Sequence, residues 1–429
     1  MPIDDSPIGS MRRMRRSTLK LLAFAGGAAG TGVSGIHAAV KASDADDRRV
    51  RRPREIPGDL LPGGSYDQFL QELVDRDQFS GNVLLAHRGR IVLTRSYGFA
   101  DKTQGIPNRP DTLFLLASVT KAFTATATLQ LVERGLIALD ATLGTYLSGF
   151  PAQVSDTVTI HHLLTMTSGM SDYSQVPGWF VESKQWISPS EVLDGTMSFI
   201  TNQPLQFTPG SAYLYSNSGF VVLGAIIAQV AGQSYWDYVR QNIFARAGMT
   251  RTDFYTRPQV LAMMASGVTA HNYAAQRGGQ RVDFLTFGPP QWIGLPDGAG
   301  GPYTTTAELL AFASALQSAT LLRPGYIRLA LSGKIPLFPW PAMMTSDPSI
   351  QLYFSGYGLT DTVINDKHIL SHSGGGPGIT SNLDIYPTMD WVAAVLENYD
   401  LQPFGLIADV SPLVKLERQL ITRSDWNPG

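Results

Sequence analysis

Apolar positions recur along this chain in two periods, and the changes between them divide it. Phe69, Leu70, Leu73 and Val74 stand at helical spacing behind Ser65-Tyr66-Asp67-Gln68, a capping-box pattern, and predict a first helix running to about Arg76. Apolar and β-branched runs over 81–87 and 90–100, parted by Arg88-Gly89, predict two strands joined by a hairpin. A further apolar run, Leu113 to Ala117, delivers Ser118 to a helix start, and Gly135 closes that helix. Short helices are expected over 160–164, 221–230 and 234–244, and Thr305-Thr306-Ala307-Glu308 caps another over 309–316. Pro289-Pro290 and the run Asp297-Gly298-Ala299-Gly300-Gly301-Pro302 read as loops. From Ile369 the period returns to two, with strands over 369–372, 381–386 and 391–396 separated by Gly374-Gly375-Gly376-Pro377-Gly378 and by Pro387-Thr388-Met389-Asp390. An amphipathic helix over 410–421 follows. Strands near both ends with helices between them predict one antiparallel sheet whose halves, 65–140 and 350–425, form an α/β domain around a mostly helical insertion, 141–349.

Residues 1–39 follow neither period. Arg12-Arg13-Met14-Arg15-Arg16 precedes a glycine-diluted apolar run and small residues at Ala38 and Ala39, the three-part plan of an export signal. The arginine pair in Arg15-Arg16-Ser17-Thr18-Leu19-Lys20 resembles a twin-arginine signal, which implies a periplasmic or secreted protein. The apolar run is shorter than the ~20 residues a spanning helix needs, so no stable membrane span is expected once the signal is cleaved. Residues 40–64 read as a solvated linker, with charges in blocks and prolines that break any periodicity.

Composition narrows the chemistry. With 44% hydrophobic and 16% charged residues, the 429-residue chain is globular in kind, and a net charge of −2 recommends no nucleic acid partner. The absence of cysteine removes thiolate catalysis and disulfides together. No His-Glu-x-x-His pattern or carboxylate cluster suggests a metal. Ser118 and Lys121 stand at i and i+3, a spacing that sets two side chains on one helical face, as a nucleophile and its base require. Alone, the tetrad also reads as an N-cap serine followed by a solvated lysine, and Ser17-Thr18-Leu19-Lys20 repeats the pattern. No Gly-x-Ser-x-Gly elbow supports a Ser-His-Asp triad.

Two motifs downstream change that balance: Tyr215-Ser216-Asn217 in a turn-rich stretch, and His372-Ser373-Gly374-Gly375 at the end of an apolar strand. In this order the motifs resemble those of the serine β-lactamase-related family, which joins class C β-lactamases, D-alanyl-D-alanine carboxypeptidases and related esterases. Residues 160–169 and 300–305 extend the resemblance, which covers most of 65–422. It implies a β-lactamase-like α/β (α+β) fold, with a five-stranded antiparallel sheet flanked by helices and an inserted helical domain.

The resemblance also implies roles. Ser118 would be acylated, Lys121 would act as base or proton relay, and Tyr215 would share the proton traffic. Asn217 would hold Lys121 and the substrate. The N–H groups of Ser118 and Gly375 would form an oxyanion hole, with His372, Ser373 and Gly374 along the substrate strand. No cofactor is implied. Where the family motif carries lysine, this chain has His372, which is mostly neutral near pH 7 and favours a substrate whose carboxylate matters less. The expectation is an exported hydrolase of small esters or amides, esterase-like first. A D-alanyl-D-alanine carboxypeptidase or weak β-lactamase is the second reading, and a penicillin-binding sensor module without turnover the third. Asp172, Tyr173, Trp179, Trp292 and Tyr303 read as loop residues at the cleft, and no motif sets an oligomeric state.

Overall fold

The computed structural model describes residues 56–275, 280–287, 297–337, 349–400 and 411–423. The expected export signal over 1–39 lies outside them. Residues 56–64, expected as the end of a linker, instead form a tight turn at Gly58–Leu60 that buries Leu60 against the core.

Helix α1 (Ser65–Asp75) starts one residue earlier than the capping box implied, with Gly64 at the N-cap. Asp67 accepts from Gly63 N at 2.8 Å, and Ser65 donates its hydroxyl to Asp59 at 2.7 Å. The first hairpin is β1 (Gly81–His87) and β2 (Arg90–Tyr97). Helix α2 (Thr120–Glu133) runs through the interior and is buried on every side from Thr120 to Leu131. Its threonines tolerate that burial because Thr126 and Thr128 donate to the carbonyls of Ala122 and Thr124, at 2.8 and 2.9 Å. Helix α3 (Asn217–Ala231) packs against α2 and ends at Gly232, whose φ of +65° is the left-handed cap that glycine adopts freely. Helix α4 (Thr306–Gln317) is capped by Thr305, as its sequence predicts.

Strands β3 (Ile335–Pro336), β4 (Ile350–Ser355), β5 (Thr360–Ile364), β6 (Lys367–Gly376), β7 (Ile379–Tyr386) and β8 (Trp391–Glu397) complete the sheet, and helix α5 (Pro412–Arg423) follows. The sheet has the order β2-β1-β8-β7-β6-β5-β4-β3 with every pair antiparallel, so eight strands replace the expected five. The added strands lie at one edge: β3 is only two residues long, and β5 opens on Thr360-Asp361-Thr362, which hides a strand period. The glycines expected to separate strands are the end of β6 itself.

Alternation along β1, β7 and β8 gives the sheet two apolar faces. Leu84, Leu383, Ala394 and Leu396 meet α2 and the helical region, whereas Val83, Leu85, Ala393 and Val395 meet α1 and α5. Among the described residues no single helix is long and apolar enough to cross a membrane.

Candidate active site

Ser118 sits in a single 3-10 turn, Ala117–Val119, just ahead of α2 rather than in its first α-helical turn. Ala117 has a φ of +48°, a left-handed conformation rare for a residue with a side chain and costly by ~1–2 kcal/mol. The surroundings hold it there. Leu116 N donates to Pro302 O at 2.9 Å, Ser381 on β7 donates to Leu116 O at 2.6 Å, and Thr120 donates to Ala117 O at 2.6 Å. The backbone is thereby fixed on both sides of a half-buried serine.

Lys121 follows one turn later and is fully buried. Its Nζ stands 2.9 Å from Ser118 Oγ, 2.7 Å from Asn217 Oδ1 and 3.0 Å from Ala299 O. The Tyr215 hydroxyl donates to Ser118 Oγ at 2.8 Å, and the Lys121 ammonium position lies 5.1 Å from the Tyr215 ring centre. Tyr215, almost a hundred residues further along the chain, thus joins Lys121 at the Ser118 hydroxyl. The three acceptors around Nζ suit either protonation state. An ammonium group would donate to all three. A neutral amine would donate to Asn217 and Ala299, leaving its lone pair on the Ser118 hydroxyl.

His372 lies across the cleft, its ring 6.5 Å from that of Tyr215. It is 7% exposed, and its Nδ1 is 2.6 Å from Ser373 O. A carbonyl only accepts, so Nδ1 carries the hydrogen and Nε2 is left with a lone pair. Burial, and then the charge of Lys121, push its pKa down to about 3, against the opposing hydrogen bond to Ser373. The ring is neutral across the physiological range. The expectation that His372 is mostly neutral is therefore strengthened to a neutral ring offering an acceptor.

Beyond Ser371, whose partner is Thr360, β6 leaves β5 and continues through His372–Gly376 beside the Ser118 turn with β7 as its sheet neighbour. A Cβ on Gly374 would lie 2.6 Å from Leu116 O and 2.8 Å from Ser118 N, so only glycine lets the strand come this close. Gly375 beside it is exposed and Ser373 half-buried.

Two carboxylates stand behind Lys121. Asp172 Oδ2 accepts from Asn217 N at 2.9 Å and from Asn217 Nδ2 at 2.8 Å, while its Oδ1 accepts from Ser174 N and Oγ. Asp297 Oδ1 accepts from Ala299 N and Gly300 N at 2.8 and 2.7 Å, and its Oδ2 accepts from the Tyr173 hydroxyl at 3.1 Å. Burial raises the Asp297 carboxyl, and those N–H donors and the charge of Lys121 oppose the shift. The sequence marks Asp172 and Tyr173 only as loop residues near the cleft and gives Asp297 no role. Trp179 is buried against Tyr173, and Tyr303 is buried beside the short strand at Phe114–Leu115. Trp292, also expected near the cleft, lies outside the described residues.

Residues 66–409 match the family model described as Beta-lactamase. This chain belongs to the beta-lactamase family. Penicillin-binding protein 4* of Bacillus subtilis (strain 168) is 31% identical over 328 residues, 74% of this chain and 68% of that protein. Esterase EstB of Burkholderia gladioli is 39% identical over 177 residues, 39% of this chain and 44% of that protein. A crystal structure of a penicillin-binding protein from Bacillus halodurans superposes with a TM-score of 0.66 at 26% identity, covering 82% of this chain and 98% of that one. The family thus spans proteins named for penicillin binding and for ester hydrolysis, on one beta-lactamase-like fold.

Proposed function

We propose that this chain is a serine hydrolase that cleaves a small carboxylic ester through an acyl-enzyme on Ser118. As the Ser118 Oγ–carbon bond forms, the hydroxyl proton passes to the lone pair of Lys121, 2.9 Å away. The negative charge moves to the carbonyl oxygen, beside the N–H groups of Ser118 and Gly375, and each such donor is worth about 3–4 kcal/mol in other hydrolases. When the ester C–O bond breaks, the leaving alkoxide takes a proton from Tyr215, which the Lys121 ammonium replaces. Water then attacks the acyl carbon, its proton returning through Tyr215 and Lys121, and Ser118 is released. Each group meets at Ser118 Oγ within hydrogen-bond reach, which suits turnover better than passive capture of an acylating ligand.

His372 carries the choice of substrate. A neutral ring with its Nδ1–H committed to Ser373 O offers a lone pair where a lysine would offer a cation, and a lone pair repels a substrate carboxylate. Likeness to Esterase EstB supports the same reading. A D-alanyl-D-alanine carboxypeptidase or weak β-lactamase is the second reading, supported by the longer match to penicillin-binding protein 4*. The Arg15-Arg16 pattern extends the proposal to action outside the cytoplasm.

Hydrolysis of p-nitrophenyl acetate, benzylpenicillin and a D-alanyl-D-alanine peptide, compared side by side, is the test. Ester turnover should exceed the other two in kcat/KM and vanish in Ser118→Ala. Faster release of D-alanine than of p-nitrophenol would replace the esterase reading with the peptidase one.

A further inference from the structure

A neutral lysine can accept the serine proton only if its lone pair points at Ser118, and two hydrogens must then be held elsewhere. Their acceptors are Asn217 Oδ1 and Ala299 O. Neither is fixed by its own chemistry. An asparagine side chain can rotate by half a turn and present its NH2 group, and a peptide in a glycine-rich loop can tilt.

Each acceptor has a carboxylate that removes this freedom. Asp172 receives both the backbone N and the Nδ2 of Asn217 on one oxygen, so the amide can face Lys121 only with Oδ1. Asp297 receives the N–H groups of Ala299 and Gly300 on one oxygen, closing a turn that aims the Ala299 carbonyl at Nζ. The same loop is clamped by Thr124, which donates to Gly298 O at 2.6 Å, and by the close approach of Gly298, where a Cβ would lie 2.2 Å from Phe220 O. The Tyr173 hydroxyl on Asp297 and the Tyr173 N–H on Ser218 Oγ, at 2.9 Å, tie the two carboxylates into one buried unit.

We propose that Asp172 and Asp297 are positioning residues that act through Asn217 and Ala299 to aim the Lys121 lone pair at Ser118. The proposal rests on the acyl-enzyme reading above. Neither carboxylate touches Nζ. Each sets the direction of the group that does.

The test is the acylation rate with p-nitrophenyl acetate, read from the p-nitrophenol burst. Wild type and Ser118→Ala are run first: no Ser118-dependent release of p-nitrophenol would overturn the hydrolase reading and this inference with it, and where acylation is rate-limiting and no burst appears, kcat reads the same step. Asp172→Ala should lower the acylation rate tenfold or more, with the p-nitrophenyl acetate concentration for half-maximal rate within threefold. In an Asn217→Ala background the same change should cost less than threefold, because the residue it orients is gone. Asp297→Ala should fall similarly, and Asp297→Asn, which keeps an oxygen for the two N–H groups, should recover at least tenfold over Asp297→Ala. Near-equal losses from Asp172→Ala with and without Asn217 would overturn the proposal, as would Asp297→Asn as slow as Asp297→Ala. Circular dichroism melts of each variant identify losses due to unfolding, and the Asn217 background and the Asp297→Asn rescue decide the matter where Asp→Ala proteins melt early.

Discussion

Ser371 and His372 are neighbours on β6, and the pleat sends them to opposite faces of the sheet, into two buried polar clusters of different design. On the far face, Ser371 donates to Asp384 at 2.6 Å, and Arg418 of α5 reaches Asp384 at 2.6 and 2.9 Å and Ser371 at 2.7 Å. Tyr386 donates to Glu417 at 2.5 Å beside them, and burial pushes the Glu417 carboxyl up. There the cation is an arginine in direct contact with a carboxylate, so its charge is permanent and committed. On the near face the cation site is a lysine whose direct partners are a hydroxyl, an amide oxygen and a peptide oxygen, all uncharged. The carboxylates, Asp172 and Asp297, stand one group further back. A buried charge paired directly is a fastener, whereas one ringed by neutral acceptors is free to exchange a proton with the hydroxyl beside it.

The contrast is sharpest in two substitutions. Lys121→Ala should lower kcat/KM for ester hydrolysis by about 10³- to 10⁴-fold, at the upper range for loss of a general base, with a melting temperature close to wild type. Arg418→Met should do the reverse. It strands Asp384 in the interior and should cost about 3–5 kcal/mol in chemical denaturation, while the folded fraction keeps its kcat. A stable Arg418→Met protein with poor kcat would erase the distinction between the faces.

His372 supplies the next effect, through pH. Its folded pKa of about 3 lies below the unfolded value of about 6.5, so below pH 6.5 the unfolded chain binds the proton that the folded one refuses. The stability His372 allows is fully present above pH 6.5 and is lost as pH falls toward 3. At pH 5 the loss is about 2 kcal/mol relative to neutral pH, and His372→Gln should be spared it; equal losses in both proteins would show that the ring is not held neutral. The smallest expected change is in selectivity. His372→Lys should raise kcat/KM for benzylpenicillin relative to p-nitrophenyl acetate by about tenfold, roughly 1.4 kcal/mol, by setting a cation where the lone pair now lies. An unchanged ratio would mean that this position does not read a carboxylate.

Much of this is legible in the sequence, for physical reasons that differ by region. The first hairpin, β7, β8 and α4 carry strong local period or capping signals, and the Ser118–Lys121 pair stands out only once the Tyr215 and His372 motifs join it. Asp172 is legible only as a loop residue near the cleft, and Asp297 not as part of the site at all. Asp172 acts through a long-range contact with Asn217 and Asp297 through a turn closed by two consecutive backbone N–H groups, and neither leaves a periodic trace. Edge strands β3 to β5 leave no strand signal in the sequence because their short or polar segments gain strand structure from pairing. The Ser65 capping box fails because the Ser65 hydroxyl is given to Asp59 and the Gln68 amide to Gly63 O, both outside the helix.

The central claim is that a hydroxyl, an amine and a phenol converge to make Ser118 a nucleophile. Intact-protein mass spectrometry, with samples quenched in acid during turnover of p-nitrophenyl acetate, tests it directly. The account predicts a gain of one acetyl group, mapped to the peptide containing Ser118 and missing in Ser118→Ala. An acetyl group on any other residue, or one that persists in Ser118→Ala, would contradict it.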